Sequence, residues 1–218
     1  MNSGNPVDFL PLIIAAFAVG LLPFAAMMIT SYTKIVVVLG LLRQALGVQQ
    51  VPPTMVLNGL ALIVSAYIMA PVMMDVSDNM GRQNSSASNS QQMGQLIDAA
   101  REPVTKFLSK HAHEREKAFF LKSAATVWPP ERAAQLKKDD LIVLAPAFTV
   151  SELSEAFKIG FLLYLAFVVV DLIIANILIA LGLSQVSSSQ VAIPFKILMF
   201  VVLDGWSILL HGLVLTYR

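Results

Sequence analysis

Hydrophobic positions in this chain come in long unbroken runs rather than in alternation. Four segments stand out, in two pairs separated by one polar region. The first spans about Leu10 to Ile29, with an apolar extension through Lys34 to Leu42; from Phe9 to Thr33 there is no formal charge. The second spans about Thr54 to Val72 and is opened by Pro52 and Pro53. Proline suits a helix start, where its missing N–H would have no partner anyway. The third spans about Ile159 to Leu183, and the fourth about Val191 to Leu215, with Pro194 near its start. Runs of this kind reach the ~20 residues that cross a bilayer core. All four are predicted helical, because in hydrocarbon every backbone polar group needs an internal partner and four isolated strands cannot close a barrel. The pattern therefore predicts an all-α fold in which two helical hairpins flank a small amphipathic helical lobe.

The division by sequence is a hydrophobic pair over 1–74, a polar lobe over 75–143 and a second hydrophobic hairpin over 144–218. The lobe opens with a tract from Gln83 to Gln92, too poor in apolar residues to fold and expected to be a flexible linker. Met93, Leu96, Ile97, Ala100, Val104, Phe107 and Leu108 then recur at helical spacing. Pro103 interrupts that pattern and predicts two short helices. Trp128-Pro129-Pro130 predicts a turn, and Lys137 to Asp140 close the lobe. Thr149-Val150-Ser151-Glu152 fits a capping box, in which side chains satisfy the orphan N–H groups of a new helix. A helix from there to Gly182 exceeds what one span requires, so it projects beyond the bilayer or sits in an unusual assembly. Lys34 and Arg43 in the first connection, against a basic-free N-terminus, place the N-terminus outside and the lobe in the periplasm.

Composition sharpens the class. Apolar residues make up 56% and charged ones 13%, which favours a membrane protein over a soluble domain. A net charge of +1 suggests no nucleic-acid partner, and the absence of cysteine excludes disulfides and thiol chemistry. The N-terminus carries no Lys or Arg before Lys34, so it lacks the basic region of a signal peptide and the first run is expected to be retained.

Charges inside apolar runs are costly and so are functional candidates: Lys34, Asp171, Lys196 and Asp204. A hairpin turning near Ser187 and Ser188 sets Asp171 and Asp204 at one depth, where one of two close carboxylates would hold its proton. Three readings follow. They are an intramembrane aspartyl protease, a proton relay in a transporter, and acids that bond a neighbouring helix or subunit. The flanks of Asp204-Gly205-Trp206 lack the glycine-framed aspartate of such proteases, and no longer polar path supports a relay, so the third is preferred. His111 and His113 lie two apart, which does not place them on one helix face, and no third ligand is near; they are expected to be solvated, with no metal. The Ser/Gln cluster from Ser184 to Gln190 reads as a hairpin tip. No phosphate-binding loop, nucleophile motif or zinc spacing is present, and no cofactor is expected.

Two blocks add specificity. Pro146 to Phe161 (PAFTVSELSEAFKIGF) resembles the first hallmark of the FliP/SctR family, and Pro194 to Trp206 (PFKILMFVVLDGW) the second. The likeness extends through Leu21 to Met27, Ser31 to Pro53 and Val56 to Leu62. It implies a non-enzymatic, homopentameric export gate of a type III secretion system at the bacterial inner membrane, projecting toward the periplasm. The implied partners are FliQ/SctS-like, FliR/SctT-like, FlhB/SctU-like and FlhA/SctV-like proteins, membrane lipid and unfolded secreted substrates. The GVQQVPP and VLNGLAL stretches resemble injectisome members more than flagellar ones. Where many relatives carry a methionine gasket around the pore, this chain has Leu183, Ser184, Gln185 and Val186. The constriction is expected there, with Leu183 and Val186 sealing and Gln185 hydrogen-bonding around the ring. Glu152 and Lys196 lie within the hallmarks at opposite ends of the hairpin, and are expected to form an ion pair between staggered subunits.

Overall fold

The computed structural model describes residues 9–82 and 89–218. Among them the chain forms helices and no strand. In order these are α1 (Phe9–Met28), α2 (Tyr32–Leu46), α3 (Thr54–Arg82), α4 (Asn89–His111), α5 (Glu114–Val127), α6 (Pro130–Ala133), α7 (Leu141–Ala180), α8 (Ser188–Val202) and α9 (Gly205–Leu215). Among the described residues, α3 and α7 are long and apolar enough to cross a membrane, and α8 with α9 could form a further, bent span.

The apolar extension of the first run is a helix of its own, and it organises the fold. α1 ends at Met28, where the Thr33 hydroxyl donates to the Met27 carbonyl at 3.1 Å. α2 then turns inward. Ile35, Val38, Leu39, Leu42, Ala45 and Leu46 are buried and form the centre of the larger core. α3 returns antiparallel to α2: Ser31 Oγ donates to Ser65 Oγ at 2.9 Å at one end, and Arg43 Nη1 donates to Thr54 Oγ1 at 3.0 Å at the other. The first hairpin is thus α2–α3, rather than the whole first run folded on the second. The Pro53 carbonyl accepts from Val56 and Leu57, starting α3 where the prolines predict it.

α7 runs parallel to α2, since Lys34 meets Glu152 and Leu41 meets Gly160. At 40 residues and ~1.5 Å each it is about 60 Å long, twice the ~30 Å hydrocarbon core. Its start corrects the capping-box reading. The helix begins at Leu141, and Thr149 and Ser151 lie within it. Ser151 Oγ donates back to the Ala147 carbonyl at 2.7 Å, and Thr149 Oγ1 lies 2.9 Å from the Ala145 carbonyl. These are the bonds that serine and threonine make in a helix interior. The true start is set by Asp140, whose carbonyl accepts from Val143 and Leu144.

In the lobe, Pro103 does not divide the helix. α4 runs through it, and the carbonyl four residues earlier, left without its usual N–H partner by the proline, accepts from Asn79 Nδ2 at 3.2 Å. The expected linker lies partly outside the described residues, and from Asn89 onward it is α4. The turn at Trp128 to Pro130 separates α5 from α6 as predicted. α4 and α5 pack on α7, with Phe107, Leu108, Leu144, Ala147 and Phe148 buried in a second core.

The fourth run is broken. α8 and α9 meet at 64° through Leu203 and Asp204, with Asp204 in the left-handed region at φ 50°. Gly205 is needed at the bend: a Cβ there would lie 2.3 Å from the Phe200 ring.

Candidate functional site

Two polar clamps, one near each end of α2, hold Lys34, Glu152, Asp171 and Lys196. The first is formed by Lys34, Glu152 and Tyr217. Lys34 Nζ lies 2.9 Å from Glu152 Oε1, and both side chains are at most 5% exposed. The Tyr217 hydroxyl donates to Glu152 Oε2, so both carboxylate oxygens have a partner. The ammonium also lies 4.3 Å from the centre of the Tyr217 ring, a cation–π arrangement. The same ring stacks on Phe107 at 6.1 Å and meets His111 edge-on at 5.1 Å. One tyrosine therefore links α2, α7, the lobe and the end of the chain.

The second clamp is formed by Lys196, Asp171 and the end of α2. Lys196 Nζ donates to Asp171 Oδ2 at 2.7 Å and to the Ala45 carbonyl at 3.1 Å. That carbonyl belongs to the last turn of α2, where unpaired carbonyls favour a cation. Gly47 ends the helix with φ 75°, its N–H donating to the Gln44 carbonyl. Asp171 Oδ1 is buried and has no hydrogen-bond partner among the described residues.

These contacts revise two expectations. Glu152 and Lys196 are each already paired within the chain, because α2 lies alongside α7 and supplies a partner near each end. Asp171 and Asp204 do not form an acid pair. The turn comes earlier than Ser187 and Ser188, so Asp171 lies opposite Lys196, and Asp204 falls eight residues further on, exposed at the α8–α9 bend. The carboxylate dyad that a protease or a proton relay would use is absent from the described residues.

The tip of the second hairpin is tightly defined. Leu183 N–H donates to the Leu178 carbonyl and Gly182 N–H to the Ile179 carbonyl, a Schellman ending with Gly182 at φ 72°. Val186 N–H then donates to the Leu183 carbonyl at 3.1 Å, closing a turn of Leu183, Ser184, Gln185 and Val186. All four are exposed. From Leu172 to Phe195 the two arms carry no charge. They expose Leu172, Ile173, Ile177, Ile179 and Phe195, each by 49% or more.

In the lobe, His111 and His113 sit at the break between α4 and α5 rather than on one solvated helix. Burial, then the positive Lys110 and Lys34 nearby, push the His111 imidazole down to about 4. His113 Nε2 lies 3.4 Å from Glu155 Oε1. Hydrogen bonds from Lys138 and Lys117 hold the exposed Glu114 carboxyl down at about 2. Among the described residues no cluster suited to a metal ion occurs.

Tyr217 was the functional residue least visible in the sequence, since a tyrosine near a chain end carries no spacing signal. Lys34 had one, as the sole charge between Phe9 and Leu42.

A model of the FliP family matches residues 15–213. The chain is 65% identical over 214 residues to the "Hypersensitivity response secretion protein HrcR" of Ralstonia nicotianae, covering 97% of this chain and 99% of that one. It is 47% identical over 210 residues to the "Yop proteins translocation protein R" of Yersinia pestis, covering 96% and 97%. It is 39% identical over 212 residues to the "Virulence protein YscR" of Salmonella typhimurium, covering 97% and 98%.

Proposed function

Because this chain belongs to the FliP family, we propose that it is a structural and gating subunit of a type III secretion export gate. In this reading several copies form a homopentameric ring through which unfolded proteins cross the bacterial inner membrane. The subunit is not an enzyme. It works by shape: a rigid clamped body carries an uncharged hairpin whose turn, Leu183 to Val186, forms the constriction. FliQ/SctS-like and FliR/SctT-like subunits complete the ring, and FlhB/SctU-like and FlhA/SctV-like proteins meet it.

The observation that carries this reading is the hairpin from Leu172 to Phe195. It is apolar on most sides and exposed in the single chain, so its faces need lipid or neighbouring subunits. A helix of about 60 Å is too long for lipid to cover throughout, which favours neighbouring subunits and projection toward the periplasm.

Native mass spectrometry of the detergent-extracted chain, alone and co-expressed with the neighbouring operon products, tests the assembly. A homo-oligomer that takes up small hydrophobic subunits is the expected result. A stable monomer that binds none of them would refute it.

A further inference from the structure

The middle of α3, the second half of α4 and the end of α9 with the residues that follow it line an open cavity of about 590 Å³. That falls within the ~300–1,000 Å³ range of ligand sites. Its walls divide by chemistry. Tyr67, Ile68, Pro71 and Leu215 line it with carbon. Lys106 and Lys110, one turn apart on α4, and Arg218 bring three cations to the same cavity. Among the described residues its one acid is Asp75, and no salt bridge engages any of the three cations.

Its level along the helices is also informative. The apolar run of α3 ends at Asp75, and that of α9 ends at Leu215 with Arg218 close behind. Both ends reach this cavity, so it lies where membrane-compatible surface gives way to polar surface. Tyrosine favours that boundary, and basic pockets beside spanning helices bind anionic head groups there.

We propose that this cavity binds an anionic phospholipid, with its phosphate among Lys106, Lys110 and Arg218 and the start of an acyl chain along Tyr67, Ile68 and Leu215. The lipid would join the lobe to α3 at the membrane surface, a role separate from ring formation and from the hairpin tip.

The test uses the full chain in detergent, doped with phosphatidylglycerol or with phosphatidylcholine of the same acyl chains, and counts retained lipid by native mass spectrometry. Each cation near an anionic surface is worth about a fivefold gain in affinity. The Lys106→Gln/Lys110→Gln variant should therefore bind phosphatidylglycerol ~25-fold more weakly. A Lys122→Gln/Arg132→Gln variant, which loses the same charge elsewhere on the lobe, should bind it unchanged. Circular dichroism of each variant establishes that it is folded. Equal retention of the two lipids, or equal losses in both variants, would overturn the site. Glycerol phosphate competing as well as phosphatidylglycerol would show that the cavity takes a soluble anion, and would overturn the lipid assignment.

Discussion

Replacing Lys34 by methionine should be among the most damaging single changes in the chain. The substitution keeps length and removes the charge, leaving the Glu152 carboxylate, 1% exposed, with only the Tyr217 hydroxyl. Removing one member of a buried ion pair costs ~3–5 kcal/mol, because the other charge stays behind unpaired. At ~2–4 °C per kcal/mol for a chain of this size, the midpoint of thermal unfolding in detergent should fall by about 6–20 °C. Tyr217→Phe removes one hydrogen bond to a charged group and should cost less, ~1.5–3 kcal/mol. The decisive variant is the triple Lys34→Met, Glu152→Leu, Tyr217→Phe, in which no orphan charge or hydroxyl remains. Apolar replacement of a buried ion pair is often neutral or stabilising, so the triple variant should recover most of the loss. Thermal melts followed by intrinsic fluorescence, with Trp128 and Trp206 as reporters, give all the values needed. If the Lys34→Met melt matches the parent, or if the triple loses the sum of its singles, the clamp does not hold α2 to α7 as described.

Other predictions concern separate parts of the molecule. Gly160→Ala would place a Cβ 2.9 Å from the Leu41 Cβ, forcing α2 and α7 apart; overpacking of this kind costs ~1–3 kcal/mol, and an unchanged melt would refute the close approach. Asp171→Asn leaves the Lys196 ammonium, 6% exposed, without its counter-charge, at ~3 kcal/mol, whereas Lys196→Met leaves an Asp171 carboxylate that is 34% exposed and open to water, and should cost about 1 kcal/mol; equal losses in the two melts would count against this geometry. Leu183→Ala with Val186→Ala should raise ion leakage through the assembled complex and reduce secretion, and unchanged leakage would place the seal elsewhere. The neutral form of His111 is favoured in the folded chain, with its imidazole near 4 against 6.5 when free. The unfolded chain therefore binds more protons between those values, and stability falls as pH drops from 6.5 toward 4. His111→Phe, which keeps a ring against Tyr217, should flatten that slope in melts taken across the window.

Much of the architecture could be read in the sequence because it rests on composition over long windows. Uncharged runs marked the helical segments, and the paired prolines at Pro52 and Pro53 marked the start of α3. What escaped was decided by contacts between distant residues. Thr149 to Glu152 has the spacing of a capping box, but Glu152 faces Lys34 on α2, and the helix already begun at Leu141 takes up the same backbone. Pro103 looked like a break because a proline removes a hydrogen bond; Asn79, on another helix, supplies one to the carbonyl that was left over. The bend at Asp204 depends on a left-handed residue and on the packing of Phe200 over Gly205. A run of apolar residues conceals such a bend, because hydropathy does not record backbone direction.

The positions of the two clamps explain how one short helix can govern a much longer one. α2 has only 15 residues, yet Lys34 near its start and the Ala45 carbonyl at its end each meet a charged side chain of the second hairpin. Between them lies an apolar seam closed by Gly160 against Leu41. Hydrophobic contact alone is non-directional and would allow α2 to slide along α7. Polar groups buried at both ends do not allow it, because a slip of one turn would leave two charges and a helix terminus without partners. The register of the core is therefore fixed by few residues, at Lys34–Glu152 and at Asp171–Lys196. Between Asp171 and Lys196 no further ion pair constrains the hairpin among the described residues. The hairpin from Leu172 to Phe195 carries no charge and exposes much of its apolar surface, so the surfaces that come to surround it help to set its position. A subunit with a fixed body and an arm placed by its partners is what the proposed gate of several copies would require.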